Sequence, residues 1–281
     1  MFRAVTSHEV YDTISNLNID KSCIGPPLKC IRLAGPKISE SLALAFNTSI
    51  QQGIVPDNLK VARVTPVDKG GTATDPSSYR PISILSAFSQ IFEKLAYSQL
   101  INYIEKYEIL YEFQYGFRKA RSTEQAIAET TEYLKQSIDN NKFTCGIFLD
   151  FCKAFDTVNH HILLKKLEKY GIRGIALYWF TSYLTNRKQY VALGDTESSK
   201  QTVKCGIPQG SSLGPLLFLI YIKDLPNSSK SLKFRIFADD TNIFATSANI
   251  HDLEQLVNYE MVNVKVWCDV NKLSINLFYV N

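Results

Sequence analysis

The segment Phe237-Ala238-Asp239-Asp240 constrains the fold of this chain more than any other. It lies between two short runs rich in apolar residues, 232–237 and 242–245, each of strand length. Two such runs separated by a tight polar turn form a hairpin, and stiff strands hold both carboxylates at its tip. Like charges held together repel, so one carboxyl must keep its proton to a higher pH than usual unless a cation neutralises the pair. A hard divalent cation such as Mg²⁺ does this through oxygen ligands. Taken alone, the Asp-Asp dipeptide fits an ordinary turn equally well, because aspartate favours turns.

A second acid changes that weighing. Gly146-Ile147-Phe148-Leu149-Asp150-Phe151 also ends an apolar strand on a carboxylate. With this strand beside the hairpin, Asp150 meets Asp239 and Asp240. Three carboxylates then suffice for two metals about 3.5–4 Å apart, the spacing of in-line phosphoryl transfer. Without its partners, Asp150 reads as a strand-end cap. The third feature is Ile207-Pro208-Gln209-Gly210-Ser211-Ser212-Leu213-Gly214-Pro215, a rigid loop between a strand and an apolar helix. Gly210 lets a ligand approach the backbone closely, and Gln209 offers both a donor and an acceptor.

The remaining pattern surrounds these motifs with mixed elements. Thr6-Ser7-His8-Glu9 has the form of a capping box, and a second helix is expected over 38–52, stopped by Gly53. Residues 61–67 and 189–193 read as strands, 69–78 as a loop, and 202–207 as a further strand. Phe88, Ile91 and Leu95 recur at helical spacing. Ile127, Thr130, Leu134 and Ile138 share one face of another helix. Residues 161–170, 174–184 and 213–225 read as helices. Leu253, Val257, Met261, Val264 and Cys268 form the stripe of a last one. The order implies an α+β fold with an antiparallel sheet.

Composition limits the function classes without choosing among them. The 281 residues are 45% hydrophobic and 21% charged, which suits a soluble globular chain. A net charge of +4 is compatible with nucleic-acid binding but equally with many unrelated enzymes, so any such reading must come from motifs. The six cysteines lack the paired close spacing of a zinc site. Cys145 and Cys205 lie in apolar runs as small core residues, and reduced thiols suit an intracellular compartment, nuclear or cytoplasmic. No apolar run approaches the length of a membrane span.

In this order, the three motifs resemble those of reverse transcriptases. Ser78-Tyr79-Arg80-Pro81-Ile82-Ser83, Gln114-Tyr115-Gly116-Phe117-Arg118, Arg121-Ser122-Thr123 and Lys153-Ala154-Phe155-Asp156 are similar to those of non-long-terminal-repeat retrotransposons, jockey-like ones in particular. The resemblance runs over about residues 5–276. It implies a right-hand polymerase fold: a helical N-terminal extension over 1–60, fingers over 61–142, and a ferredoxin-like palm with interleaved finger segments over 143–281. It implies two Mg²⁺ ions, or Mn²⁺ in their place, on Asp150, Asp239 and Asp240. It further implies an RNA template, a DNA primer and deoxynucleoside triphosphates as partners. Arg80 and Lys69 match residues that hold the triphosphate, and Gln209 and Gly210 match the loop against nucleotide and template. Phe155 matches the aromatic gate at the sugar 2′ position; core packing is its other reading. Arg118 and Arg121 match template contacts, and solvated surface arginines are an equally good reading of them.

The sequence departs from that family in places. Asp20-Lys21-Ser22-Cys23-Ile24-Gly25 strays from the usual Gly-Pro-Asp-Gly segment, and Tyr279 stands where a lysine is expected after Asn276. The thumb and an N-terminal endonuclease are expected to be absent, which makes the chain a truncated element. Two other functions follow from these features. One is a nucleic-acid-binding remnant without catalysis. The other is a palm-fold nucleotide cyclase or two-metal hydrolase, against which the motifs around Arg80 and Arg118 count.

Overall fold

The computed structural model describes residues 1–276, so the expectation placed on Tyr279 lies outside the described residues. The fold is α+β. Helices α1 (Ser7–Ser15) and α2 (Leu28–Gln52) lead into strands β1 (Val61–Asp68) and β2 (Tyr79–Leu85), then α3 (Ala87–Lys106) and α4 (Thr123–Asp139). Strand β3 (Phe143–Leu149) follows, then α5 (Ala154–Thr157), α6 (His160–Lys169) and α7 (Ile175–Leu184). Next come β4 (Lys188–Leu193), the two-residue strands β5 (Thr196–Glu197) and β6 (Gln201–Thr202), and α8 (Gly214–Ile222). The hairpin β7 (Lys233–Phe237) and β8 (Asp240–Ser247) and helix α9 (Ile250–Val270) complete the described chain.

Two sheets result. The expected antiparallel sheet is three-stranded, in the order β3-β8-β7. The other is five-stranded and mixed: β1 pairs antiparallel with β2 but parallel with β4, from Val61 opposite Lys188 to Val64 opposite Val191. The apolar core takes in Leu149, Phe234, Ile236, Ile243 and Ala245 of the three-stranded sheet together with α8, in which every residue from Leu216 to Ile222 is at most 1% exposed. A helix that is apolar all round can only be buried. No helix among the described residues is long and apolar enough to cross a membrane.

Several elements differ from the sequence reading for identifiable reasons. Helix α2 begins ten residues earlier than expected, at Leu28, and runs through Pro36. Proline inside a helix removes one hydrogen bond and crowds the preceding turn. The buried positions Leu28, Ile31, Gly35 and Ser39 nonetheless hold that stretch against α1, where Gly35 lies so close that a Cβ would stand 3.3 Å from Ile14. The strand expected over 202–207 stops at Thr202. Beyond it, the amides of Gly206 and Ile207 donate to the carbonyls of Val158 and Phe155 instead of to a sheet. Cys205 is exposed there, not a core residue. The apolar face of α4 is only partly covered, with Ile127 61% and Ile138 69% exposed.

Gly53 ends α2 in the left-handed conformation at φ 66°, and a Cβ there would approach the Cβ of Tyr178 to 2.9 Å. Backbone preference and packing therefore both require glycine. Gly53→Ala is expected to lower unfolding stability by about 2 kcal/mol, read as a shift in the urea midpoint.

Candidate active site

Register sets the geometry of the acids. Strand β3 runs antiparallel to β8 with Phe148 opposite Asn242 and Leu149 opposite Thr241. One step further along the ladder, Asp150 comes beside Asp240. Side chains alternate across a strand, so Asp150 and Asp240 share the face of Phe148 and Asn242. On the other edge of β8, Phe237 pairs with Asp240, which leaves Ala238 and Asp239 as a two-residue turn. Asp150, Asp239 and Asp240 all line one cavity of about 1200 Å³. Burial pushes the Asp239 carboxyl above its ordinary range, and the charges of Asp240 and Asp150 push it further. Asn276 braces the third acid: its side-chain amide donates to Asp150 Oδ2 at 3.1 Å, and its backbone N–H donates to the Asp150 carbonyl at 2.8 Å.

This donor set consists of carboxylate oxygens gathered against their own repulsion, which suits a hard divalent cation. Among the described residues no three acidic, histidine or cysteine side chains stand in an arrangement that could by itself hold a metal ion.

The turn itself is held from outside the sheet. Ala238 takes φ 59°, a conformation that costs an L-residue about 1–2 kcal/mol. The buried side chain of Gln114 compensates: its Oε1 accepts from the Ala238 amide at 2.9 Å, and its Nε2 donates to the Ala238 carbonyl at 3.2 Å. The Tyr115 amide donates to the Ile236 carbonyl at 2.8 Å. Gly116 passes so close that a Cβ would lie 2.3 Å from the Ala238 nitrogen.

Lys69, Arg80, Phe155 and Gln209 line the same cavity. Lys69 and Arg80 are both exposed, and no ion pair engages either among the described residues. Phe155 stacks on Phe218 with ring centroids 4.5 Å apart, and the edge of Phe117 stands 6.2 Å away. The gate and packing readings of Phe155 are thus compatible: one face packs while the residue still lines the cavity. Gln209 Nε2 donates to Asp156 Oδ1 at 2.9 Å, and Gln209 O accepts from the Ser83 amide at 2.7 Å. Gly210 takes φ 105° with Ser83 O where a Cβ would need to be, 2.9 Å away.

Arg118 and Arg121 lie elsewhere, on a separate cavity of about 520 Å³ that also holds Glu105, Glu108 and Glu112. Arg118 Nη1 donates to the carbonyls of Tyr111 at 2.9 Å and of Glu112 and Gln114 at 3.3 Å. Arg121 stands 3.8 Å from Glu129 and over the ring of Tyr115.

Comparison with known proteins shows the family of the chain. Residues 67–277 match the family model of reverse transcriptase (RNA-dependent DNA polymerase). The chain belongs to the reverse transcriptase family. Its similarity is to enzymes of jockey-like mobile elements. It is 31% identical over 258 residues to the RNA-directed DNA polymerase from mobile element jockey of Drosophila melanogaster, covering 88% of this chain and 28% of that protein. A probable RNA-directed DNA polymerase from transposon BS, also of Drosophila melanogaster, is 30% identical over 84% of this chain and 27% of its own length. The jockey polymerase of Drosophila funebris is 27% identical over 97% of this chain and 31% of its own length. The chain therefore spans roughly a third or less of the curated relatives it matches.

Within this reverse transcriptase, sequence reasoning found the acids but missed what holds them. Gln114 and Gly116 were legible as part of a motif, yet nothing local shows that they face a turn 124 residues away. Asp156 and Asn276 were missed as direct partners of site residues for the same reason. Gly116→Ala is expected to displace the Ala238–Asp239 turn and lower stability by about 1–3 kcal/mol, through overpacking against backbone. Denaturation measures the loss, and amide shifts of residues 236–241 in NMR spectra locate it.

Proposed function

We propose that this chain carries the fingers and palm of an RNA-directed DNA polymerase and extends a DNA primer on an RNA template. The observation that carries this reading is the meeting of Asp150, Asp239 and Asp240, across a cavity, with Lys69, Arg80, Phe155 and Gln209. In the reaction, the primer 3′-hydroxyl oxygen bonds to the α-phosphorus of a deoxynucleoside triphosphate, the bond to the β-phosphate oxygen breaks, and pyrophosphate leaves. Asp150, Asp239 and Asp240 would hold two Mg²⁺ ions, or Mn²⁺ in their place, which when bound activate the hydroxyl and stabilise the leaving group.

The chain's own residues do the rest. Arg80 presents a planar fork to phosphate oxygens, and Lys69 presents a point charge. Asp156 fixes the Gln209 amide nitrogen, which leaves Gln209 Oε1 to meet a donor on the nucleotide or template. Phe155, backed by Phe218, serves as the steric gate against a 2′-hydroxyl, a role supported by its place in the lining of the cavity. Arg118 and Arg121 serve template phosphates, Arg118 through the part of its guanidinium that does not hold the carbonyls of residues 111–114.

The division into a helical extension over 1–60, fingers over 61–142 and a palm over 143–281 is supported by the two sheets. The parallel pairing of β4 with β1 supports interleaved finger segments. The ferredoxin-like palm is supported by the order β3-β8-β7, by α9, and by the antiparallel bridge that sets Ile275 beside Phe151.

Purified chain with Mg²⁺, a primed RNA template and deoxynucleotides is expected to extend the primer. Asp239→Asn should lower the rate by about a hundredfold or more, through lost stabilisation of developing charge. Equal extension by that variant would sink the metal assignment, and binding without extension would support the nucleic-acid-binding remnant. Phe155→Ala should raise incorporation of ribonucleotides relative to deoxynucleotides by about tenfold or more, a discrimination of the size that pocket shape supplies. An unchanged ratio would return Phe155 to a packing role alone.

A further inference from the structure

Helix α3 carries a charge that core packing does not call for. Glu93 is 3% exposed and stands among the buried residues of that helix. Burying a carboxylate is costly unless hydrogen bonds and charge compensate it closely. Here the compensation is directed. One oxygen accepts the Tyr183 hydroxyl at 2.6 Å, and the other accepts the backbone N–H of Ser212 at 2.7 Å. Burial pushes the Glu93 carboxyl above its ordinary range, and Arg187, itself 2% exposed and lying over the Tyr183 ring, pushes it the other way without cancelling the rise.

Ser212 belongs to the loop that presents Gln209 and Gly210. The loop has other attachments. The Ser83 amide on β2 donates to Gln209 O at 2.7 Å, Lys21 Nζ donates to Gly210 O at 2.9 Å, and Gln209 Nε2 donates to Asp156 Oδ1 at 2.9 Å. The Ile207 amide donates to the Phe155 carbonyl at 2.9 Å, and the Ser211 hydroxyl accepts from the Gly214 amide at 2.9 Å and shapes the entry to α8. Asp156 is only partly buried, so among the side chains that hold the loop Glu93 is the carboxyl fully inside the core. It links the loop to a helix that touches neither the acids nor the cavity.

We propose that Glu93 is a positioning residue for the nucleotide: through the Ser212 amide it fixes the height of the Gln209–Gly210 loop over the deoxynucleoside triphosphate. The proposal rests on the polymerase reading above. What matters is the reach of the side chain to Ser212, more than its charge. Two substitutions separate these. Glu93→Asp keeps the charge opposite Arg187 but is one methylene short of Ser212. Glu93→Gln keeps the length; its oxygen can face Ser212, while its NH₂ group donates to a Tyr183 hydroxyl that turns to accept.

Glu93→Asp is expected to raise KM for the deoxynucleotide about tenfold, the loss of one buried hydrogen bond, with little change in kcat or in primer–template affinity. Glu93→Gln should stay within about threefold of the unaltered chain, since its hydrogen bond survives as a neutral one. Tyr183→Phe removes the other partner of Glu93 together with a hydrogen bond to Ser211 of the same loop, and should lower thermal stability while raising KM less than Glu93→Asp does. Hydrogen exchange at the Ser212 amide should quicken in Glu93→Asp and not in Glu93→Gln. An unchanged KM in Glu93→Asp, or greater damage from Glu93→Gln than from Glu93→Asp, would overturn the proposal and leave Glu93 a buried charge balancing Arg187. Absence of extension by the unaltered chain would overturn the polymerase reading instead, and the exchange of the Ser212 amide would then decide whether the clamp exists.

Discussion

Everything in this site depends on the ladder between β3 and β8. That ladder brings Asp150, more than eighty residues from the hairpin, to the side of Asp240. Because side chains alternate along a strand, a slip of one residue would carry Asp150 to the opposite face, and the cavity would lose one of its three acids. The pairs that fix the register are apolar: Ile147 meets Ile243 and Cys145 meets Ala245. Burial of that face, on which Ile243 and Ala245 are 0% and 2% exposed, therefore places the polar groups of the other. Burial of the turn works against an ionised Asp239 and raises its carboxyl, and the neighbouring charges of Asp240 and Asp150 add to that rise.

Strand register alone cannot hold a turn whose first residue is in a left-handed conformation. The segment 114–116 does so from a loop between α3 and α4, with the Gln114 amide bonded to both polar groups of Ala238. A glutamine is suited to this task because one planar group offers both a donor and an acceptor. The loop at 207–212 is held on the same principle, by side chains and backbone from β2, α3 and the segment before α2. In each case a flexible-looking piece of the site is fixed by buried polar contacts from elements distant in sequence. Such contacts specify one arrangement because leaving any of them unmade exposes a buried group without a partner.

This explains which parts of the molecule could be read from its sequence. The acids were legible because each ends an apolar strand, a local pattern. The α1 capping box, the helical spacing in α3 and α9 and the all-apolar α8 were legible for the same reason. Strand β2 escaped the pattern reading because Tyr79-Arg80-Pro81 begins it, and proline is tolerated there at a strand's edge-like start. The first third of α2 escaped because Pro36 counts against a helix locally while packing against α1 counts for it. The braces were illegible for a different reason: Gln114, Asp156 and Asn276 act through contacts 53 to 126 residues away, which no window along the chain contains. Arg118 shows the converse. Its sequence suggests a phosphate ligand, yet the structure occupies one end of its guanidinium with three carbonyls.

The distribution of charge in the cavity carries the last step. Asp150, Asp239 and Asp240 line the same cavity as Lys69 and Arg80, and among the described residues no ion pair joins the two sets. Opposite charges at the edge of a cavity gain by closing on one another unless the backbone keeps them apart. Here the acids are fixed by a sheet end and a turn, and the bases by β1 and β2 of a different sheet, so the gap is a property of the fold. A ligand that completes such a gap must present negative charge to the bases and positive charge to the acids at once. A triphosphate accompanied by divalent cations has that distribution, whereas a simple anion or a lone cation meets only one of the two sets. On the proposed function, a metal-bound nucleotide is therefore the ligand that would engage both sets at once.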